Sequence, residues 1–173
     1  MLEKIVSVDQ AFAVYMAQFR SSFTLRLFEM LSISGVSLSW FLVAGFLWGL
    51  NFFGVQLFVE QSVFLQSMLP SLVVWGLAYL IKRRVKRPRP YETPGMPSAK
   101  TNVSFSMDSF PSSHAASSFA LAFTLLFVGS SLANGVLLWA ILVGYSRLYL
   151  GVHFLSDVLG GIALALLCSW VAT

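Results

Sequence analysis

Long apolar runs separated by short polar breaks dominate this chain. Runs of about 20 mostly apolar residues are long enough to cross a bilayer as helices. The pattern predicts five such spans, at about 37–53, 62–86, 113–128, 134–149 and 154–171. Because the last three are slightly short, we expect local thinning of the bilayer or extension into its interface. The pattern therefore predicts an all-α, polytopic membrane helix bundle.

The N-terminal segment follows a different pattern. Its apolar positions, between about 5 and 33, are interrupted by Asp9, Gln18, Arg20, Arg26 and Glu29. Such mixed segments are typical of amphipathic helices that lie in the membrane interface, and we expect one or two of them within residues 1–35. The first residues lack the features of a cleaved signal peptide, so we expect insertion to rely on the internal spans.

The polar breaks gather on one side of the predicted bundle. Residues 88–111 hold five of the six prolines and are predicted to form a loop outside the hydrocarbon, while Pro70 is expected to kink the second span. The second span ends just before this loop, the third begins just after it, and the fourth and fifth meet at 150–152. Because successive spans cross the membrane in opposite directions, the end of the second span, the start of the third and the connection between the fourth and fifth all lie on the same side.

Composition supports a membrane protein and argues against nucleic-acid binding. The 173 residues are 57% hydrophobic and 10% charged, against about 25% charged in a typical soluble domain. Most of the basic residues that give the net charge of +4 lie between positions 82 and 100, namely Lys82, Arg83, Arg84, Lys86, Arg87, Arg89 and Lys100. This placement favours a local anionic partner at a membrane surface. For Arg83, Arg84, Lys86 and Lys100 we favour the simpler interpretation that they mark the membrane boundary.

Two of these cations and one from a later span are candidates for binding phosphate. Lys82, Arg89 and Arg147 are expected to meet at the shared end of the bundle, where a polyanion would offset their mutual repulsion. Ser112 and Ser113 open a predicted helix, whose unpaired N–H groups favour an anion. The single cysteine, Cys168, lies in an apolar run and is expected to be a buried hydrophobe.

The chain has only two histidines, and both lie at this end. His153 and Asp157 are four residues apart, so the carboxylate can orient the ring and leave its other nitrogen free to attack phosphorus. Two alternatives remain for this pair: a metal site or a structural contact. A catalytic metal usually has at least three protein ligands, so Asp108, Glu92 or His114 would have to supply the third.

His114 can protonate a leaving oxygen and later deprotonate water. The alternative is that it only forms a hydrogen bond at the start of a helix.

These segments resemble the signature of the type 2 phosphatidic acid phosphatase family. The family pattern is a lysine, six residues and Arg-Pro, then Pro-Ser-Gly-His, then Ser-Arg, five residues, His, three residues and Asp. Lys82 to Arg89-Pro90 and Ser146-Arg147 to Asp157 match it, whereas Pro111-Ser112-Ser113-His114 has Ser in place of Gly. The Ser113 substitution matters if the backbone there needs a positive φ. The resemblance covers roughly residues 60–171 of a single membrane-embedded domain, 1–173.

The resemblance implies roles for these residues. His153 would be the nucleophile, Asp157 its partner, and His114 the acid and base. Lys82, Arg89, Ser112, Ser113 and Arg147 would bind the phosphate, with no metal or other cofactor. It implies a lipid phosphatase acting on phosphatidic acid, phosphatidylglycerol phosphate or polyprenyl diphosphate through a phosphohistidine.

Three alternatives remain open: a lipid phosphotransferase, a vanadate-dependent oxidant, and a non-enzymatic lipid-binding or transport protein. The expected partners are the bilayer and a lipid phosphate, with no nucleic acid, and the oligomeric state is not readable. The resemblance implies a bacterial cytoplasmic membrane with an outward-facing site, whereas the positive-inside rule favours the cytoplasmic side.

Overall fold

The computed structural model of the chain describes residues 2–35, 39–40, 42, 45–46, 49, 52–53, 61–99 and 108–173. Within these ranges, six α-helices and one short 3₁₀ helix have defined bounds, and there is no strand. The α-helices are α1 (Leu2–Ala17), α2 (Ser22–Ser34), α3 (Gln61–Val85), α4 (Ser113–Phe127), α5 (Ala133–Tyr149) and α6 (Leu155–Ala172), and the 3₁₀ helix spans Pro90–Glu92. The all-α prediction is confirmed.

Four of the predicted spans correspond to α3 through α6, with bounds that differ by about one residue. The first predicted span, 37–53, lies mostly outside the described residues. Among the described residues, α6 is the one helix both long and apolar enough to cross a membrane, with a mean hydropathy of 1.8. The number of spans stays a prediction.

The central helix of the bundle is α4, which packs against α3, α5 and α6. Small side chains line its contact surfaces, since Ala115, Ala116 and Ala120 are fully buried. Gly161 of α6 approaches the start of α4 so closely that a Cβ atom there would lie 2.6 Å from the carbonyl oxygen of Ser112. Close packing by small residues is typical of helices that associate in membranes.

Polar groups lie inside this bundle and large apolar side chains lie outside. The largest fully buried side chain among the described residues is that of Arg147, and Asp157 is also fully buried. In contrast, Leu167, Trp170 and Val171 on α6 are strongly exposed. This arrangement is typical of a bundle whose outer surface contacts lipid and whose ionisable residues face its interior.

The N-terminal segment forms two helices that pack against the bundle. α1 contacts α5 and α6, and α2 contacts α5. Ser21 caps α2, because its hydroxyl accepts the Thr24 N–H, and the Thr24 hydroxyl lies 2.6 Å from the Tyr149 hydroxyl of α5. Between the two helices, Arg20 donates to the Tyr149 carbonyl (2.7 Å) and the Ser98 carbonyl (2.9 Å). The segment is therefore part of the helix bundle; its position in the interface stays a prediction.

Candidate active site

Three segments that are distant in sequence meet at one end of the bundle. Lys82, in the last turn of α3, donates to the main-chain carbonyls of Asp108 (2.7 Å) and Ser109 (3.0 Å) before α4. The Ser112 N–H donates to the main-chain carbonyl of Asp157 in α6 at 2.9 Å. The alternation of helices thus brings the predicted polar clusters together.

Arg89 joins the loop after α3 to the connection between α5 and α6. Its Nη1 donates to the Val152 carbonyl at 2.8 Å and lies 3.5 Å from Nε2 of His153. Its own N–H donates to the Glu92 carboxylate at 2.8 Å, which fixes the 3₁₀ turn. Because Arg89 is buried, its charge is held against the histidine ring.

The two ring nitrogens of His153 face opposite charges. Nδ1 lies 3.6 Å from Oδ2 of Asp157, and Nε2 lies beside the Arg89 guanidinium. A guanidinium can only donate hydrogen bonds, so it favours a lone pair on Nε2 and the proton on Nδ1. The free lone pair of the neutral ring is therefore expected on Nε2.

The surroundings of His153 keep its ring neutral. Burial lowers its pKa well below the ordinary 6.5, and the neighbouring positive charges of Arg147, Arg89 and Lys82 lower it further. A hydrogen bond with the Ser109 main chain acts in the opposite direction. At neutral pH the ring therefore has the free lone pair that nucleophilic attack requires.

The Asp157 carboxylate is fixed by donors on several sides. The Phe154 N–H donates to Oδ2 at 2.7 Å, and the Ser109 hydroxyl donates to the same oxygen through a short hydrogen bond. Arg87 Nη1 donates to Oδ1 at 2.6 Å. Since these donors hold both oxygens, the carboxylate has little freedom to turn away from His153.

The cations of the site differ in burial from their sequence neighbours. Lys82, Arg89 and Arg147 are buried, and Nη1 of Arg147 donates to the Ser32 hydroxyl of α2 through a short hydrogen bond. In contrast, Arg83, Arg84 and Lys86 are exposed. The basic run thus contains residues of two environments.

The start of α4 completes the cluster. Ser112 is the N-cap, and its hydroxyl accepts the Ala115 N–H at 3.4 Å. Ser113 is the first helical residue, and Lys86 is the only described non-glycine residue with a positive φ, so the backbone at 113 has no need of glycine. His114 is partly buried and lies within electrostatic range of His153, Arg147, Arg89 and Lys82.

Several residues that contact Asp157 or Arg147 were not predicted from the sequence. Ser109 and Arg87 bind the Asp157 carboxylate, and Ser32 binds Arg147. Asp9 of α1 binds Arg87 in turn. Arg87 was visible only as one of several cations in a basic run, and Asp9 only as an interruption of an apolar helix.

The described part of the chain contains no group of three or more His, Cys, Asp or Glu side chains able to hold a metal ion. Within the described residues, His153 and Asp157 therefore have no third His, Cys, Asp or Glu side chain with which to hold a metal ion. What the arrangement offers is a neutral imidazole, a second histidine and three buried cations. Such a set suits attack on a bound tetrahedral anion.

Two of the relatives found by sequence comparison are named as phosphatases. The chain is 43% identical over 98 residues to the decaprenylphosphoryl-5-phosphoribose phosphatase of Mycobacterium tuberculosis. The matched segment covers 54% of this chain and 50% of that protein. It is 42% identical over 64 residues to the lipid A 4'-phosphatase of Bacteroides thetaiotaomicron, which covers 36% of this chain and 28% of that protein. The matched segments span half or less of these two relatives.

Solved structures match over almost the whole chain. The transmembrane PAP2-type phosphatidylglycerolphosphate phosphatase of Bacillus subtilis superposes with a TM-score of 0.71 at 26% identity, covering 98% of this chain and 84% of that one. The Aquifex aeolicus LpxE structure, at 22% identity, has the same fold with a TM-score of 0.71, covering 95% of this chain and 93% of that one. These matches indicate a membrane protein.

The family model described as the PAP2 superfamily matches residues 62–173. That region contains α3 to α6, apart from the first residue of α3, and all three motif segments. The recognition from the sequence motifs is thereby confirmed, and the chain belongs to the PAP2 superfamily.

Proposed function

We propose that this chain is an integral membrane phosphatase that hydrolyses a phosphomonoester or diphosphate of a lipid through a phosphohistidine at His153. The observation that carries the proposal is the placement of His153. Its Nδ1 faces a fixed carboxylate and its Nε2 faces Arg89, with Lys82 and Arg147 close by. The relatives named as phosphatases of lipid A and of a decaprenylphosphoryl sugar phosphate support the coarser part of the proposal, that the chain is a lipid phosphatase.

In the first step, the Nε2 lone pair of His153 attacks phosphorus and forms an N–P bond. The bond between phosphorus and the lipid oxygen breaks, and protonated His114 gives its proton to that oxygen. The ring of His153 becomes positive, and the Asp157 carboxylate, 3.6 Å from Nδ1, stabilises that charge. The dephosphorylated lipid then leaves.

In the second step, neutral His114 takes a proton from water. The resulting hydroxide attacks phosphorus, and the N–P bond breaks with its electron pair returning to Nε2. Inorganic phosphate is released, and His114 is again protonated for the next cycle. Each proton taken from water therefore replaces the one given to the leaving lipid.

Charge on the phosphoryl oxygens is balanced by fixed groups. We assign Lys82, Arg89 and Arg147 to these oxygens, together with Ser112 and Ser113 at the N-terminus of α4. Such preorganised cations and N–H donors stabilise a transition state without rearranging during the reaction. In this proposal they supply the positive charge that metal ions supply in other phosphatases, and the enzyme needs no metal or other cofactor.

The setting of the site suits a lipid substrate. Its polar groups lie at one end of a bundle with an apolar outer surface, so an anionic headgroup can enter while its tail stays in the bilayer. Phosphatidic acid, phosphatidylglycerol phosphate and polyprenyl diphosphate share this form. We place the protein in a bacterial cytoplasmic membrane with the site facing outward.

The proposal is tested by phosphate release from these three lipids by purified protein, with EDTA present. We expect release by the wild type, inhibition by vanadate, and none from His153→Ala. Turnover by His153→Ala would contradict the proposal. Label from a lipid donor appearing in a second lipid would indicate a phosphotransferase, and a requirement for vanadate would indicate an oxidant.

A further inference from the structure

We propose that Asp9 of α1 is a positioning residue of the active site, acting on Asp157 through Arg87 and Ser156. The inference rests on the proposed function and adds a residue from outside the region that the family model matches, 62–173. It assigns the N-terminal helix a part in the chemistry, because Asp9 and Asp157 are bound by the same guanidinium.

Asp9 is buried among donors from two other segments. Its side chain is only 2% exposed. Oδ1 accepts the Ser156 N–H of α6 at 2.9 Å, and Oδ2 accepts both the Ser156 hydroxyl and Nη2 of Arg87, the latter at 2.7 Å. A buried carboxylate with this many directed contacts fixes the relative positions of the groups that it binds.

Arg87 joins the two carboxylates. Nη2 binds Asp9, while Nη1 binds Oδ1 of Asp157 and the Ser156 hydroxyl, each at 2.6 Å. The guanidinium carbon also lies 4.5 Å from the centre of the Phe154 ring, next to the histidine. Because the guanidinium is a rigid planar fork, fixing one edge on Asp9 fixes the direction of the other edge.

The first turn of α6 is held at the same point. Asp9 accepts the N–H of Ser156, which immediately precedes Asp157, and a carboxylate at a helix N-terminus is favoured by the helix dipole. The main chain that carries Asp157 and the side chain of Asp157 are therefore both positioned by Asp9, the first directly and the second through Arg87.

Removing the charge of Asp9 leaves Arg87 with one carboxylate. The fork is then free to turn and bind both oxygens of Asp157, which draws Oδ2 away from Ser109 and the Phe154 N–H. The cluster of Asp9, Arg87 and Asp157 also changes from a net charge of −1 to zero, so less negative charge remains to stabilise the positive ring of a phosphorylated His153. Lys82, Arg89 and Arg147 keep their places, so substrate binding is unaffected while the chemical steps slow.

The experiment compares Asp9→Asn with Glu3→Gln, which removes the same charge from an exposed position on the same helix. We expect Asp9→Asn to lower kcat by about 10- to 100-fold with KM within about twofold, and Glu3→Gln to match the wild type. In an Arg87→Lys background, which keeps the charge but not the fork, Asp9→Asn should cost much less. An unchanged kcat in Asp9→Asn, or an equal loss in both backgrounds, overturns the proposal.

A second readout does not depend on turnover. In protein with isotope-labelled histidine, Asp9→Asn should shift the NMR signal of His153, whereas Glu3→Gln should not. If Asp9→Asn shifts the His153 signal but the wild type releases no phosphate, the proposed function is refuted and the positioning role stands. An unshifted His153 signal in Asp9→Asn overturns the positioning role. If Asp9→Asn does not fold, Arg87→Lys takes its place, and wild-type kcat there is the contradicting result.

Discussion

The two histidines lie on different segments at the same end of the bundle. His153 lies in the connection between α5 and α6 and is buried against three cations, so its ring is neutral and suited to attack. His114 lies in the first turn of α4 and is partly buried, and our proposal assigns to it the proton transfers to the leaving group and from water.

The role of His114 is tested by changing the leaving group. We expect His114→Ala to slow phosphate release from a lipid phosphate by about 10²- to 10⁴-fold, the usual contribution of a general acid. With p-nitrophenyl phosphate, whose leaving group needs no proton, formation of the phosphoenzyme should be almost unaffected, as measured by the burst of nitrophenol. An equal loss of the burst with this substrate would contradict the role.

The protonation of His153 is tested by NMR of histidine-labelled protein. Because the chain has only two histidines, His114→Ala leaves one signal to assign. The lowered pKa predicts that this signal shows a neutral ring as the pH falls through 6.5. Since the unfolded chain then binds more protons than the folded one, this residue makes the folded state less stable below about pH 6.5. A titration at or above 6.5 would contradict the description of the site.

At the scale of the helices, α4 depends on one close contact. Its N-terminus carries Ser112, Ser113 and His114, and it approaches α6 where Gly161 lacks a side chain. A Cβ at 161 would also lie 3.1 Å from the Ala116 nitrogen, so main chain rather than a flexible side chain would have to move. The position of the α4 N-terminus relative to Asp157 is therefore set by a glycine.

Gly161→Ala should move α4 away from α6. We expect a loss of about 1–3 kcal/mol in the free energy of unfolding, as for other overpacked contacts, and a lower kcat because Ser112 and His114 are displaced. Gly76→Ala is the matched control, since a Cβ at that helical position of α3 meets nothing within 4 Å. It should be neutral or stabilising by up to about 1 kcal/mol. Equal free energies of unfolding for the two variants, measured on protein purified in detergent, would contradict this account.

The helices and the gathering of the motifs followed from the sequence because both depend on local pattern. Apolar runs and proline-rich breaks predicted α3 to α6. The alternating direction of successive helices predicted that Lys82, His114 and His153 lie at one end. The links made by Arg87, Asp9 and Ser32 could not be read in this way. They depend on how α1 and α2 pack against the bundle, which no spacing in the sequence encodes.

At the scale of the whole molecule, the two ends of the bundle differ in the residues that they carry. The site lies at the end where α3 ends and α4 begins, and the turn between α4 and α5 lies at the opposite end. The exposed cations Arg83, Arg84 and Lys86 lie at the site end. Their position alone favours a cytoplasmic site, against the outward site that we propose.

The orientation is tested by labelling introduced cysteines in a Cys168→Ala background. Ser98 and Ser131 are both exposed, the first in the loop at the site end and the second in the turn at the other end. We expect a membrane-impermeant maleimide added from outside the cytoplasmic membrane to label Ser98→Cys but not Ser131→Cys. The reverse pattern would place the site in the cytoplasm.

The central claim is that the phosphoryl group is transferred to His153. It is tested most directly by incubating purified protein with ³²P-labelled phosphatidic acid and stopping the reaction without acid. Denaturation in alkali preserves a phosphohistidine, which acid then hydrolyses. We predict protein-bound label that is stable to alkali, labile to acid, mapped to the peptide containing residue 153, and absent from His153→Ala. Undiminished release of labelled phosphate by His153→Ala, without any such label on the protein, would contradict the account.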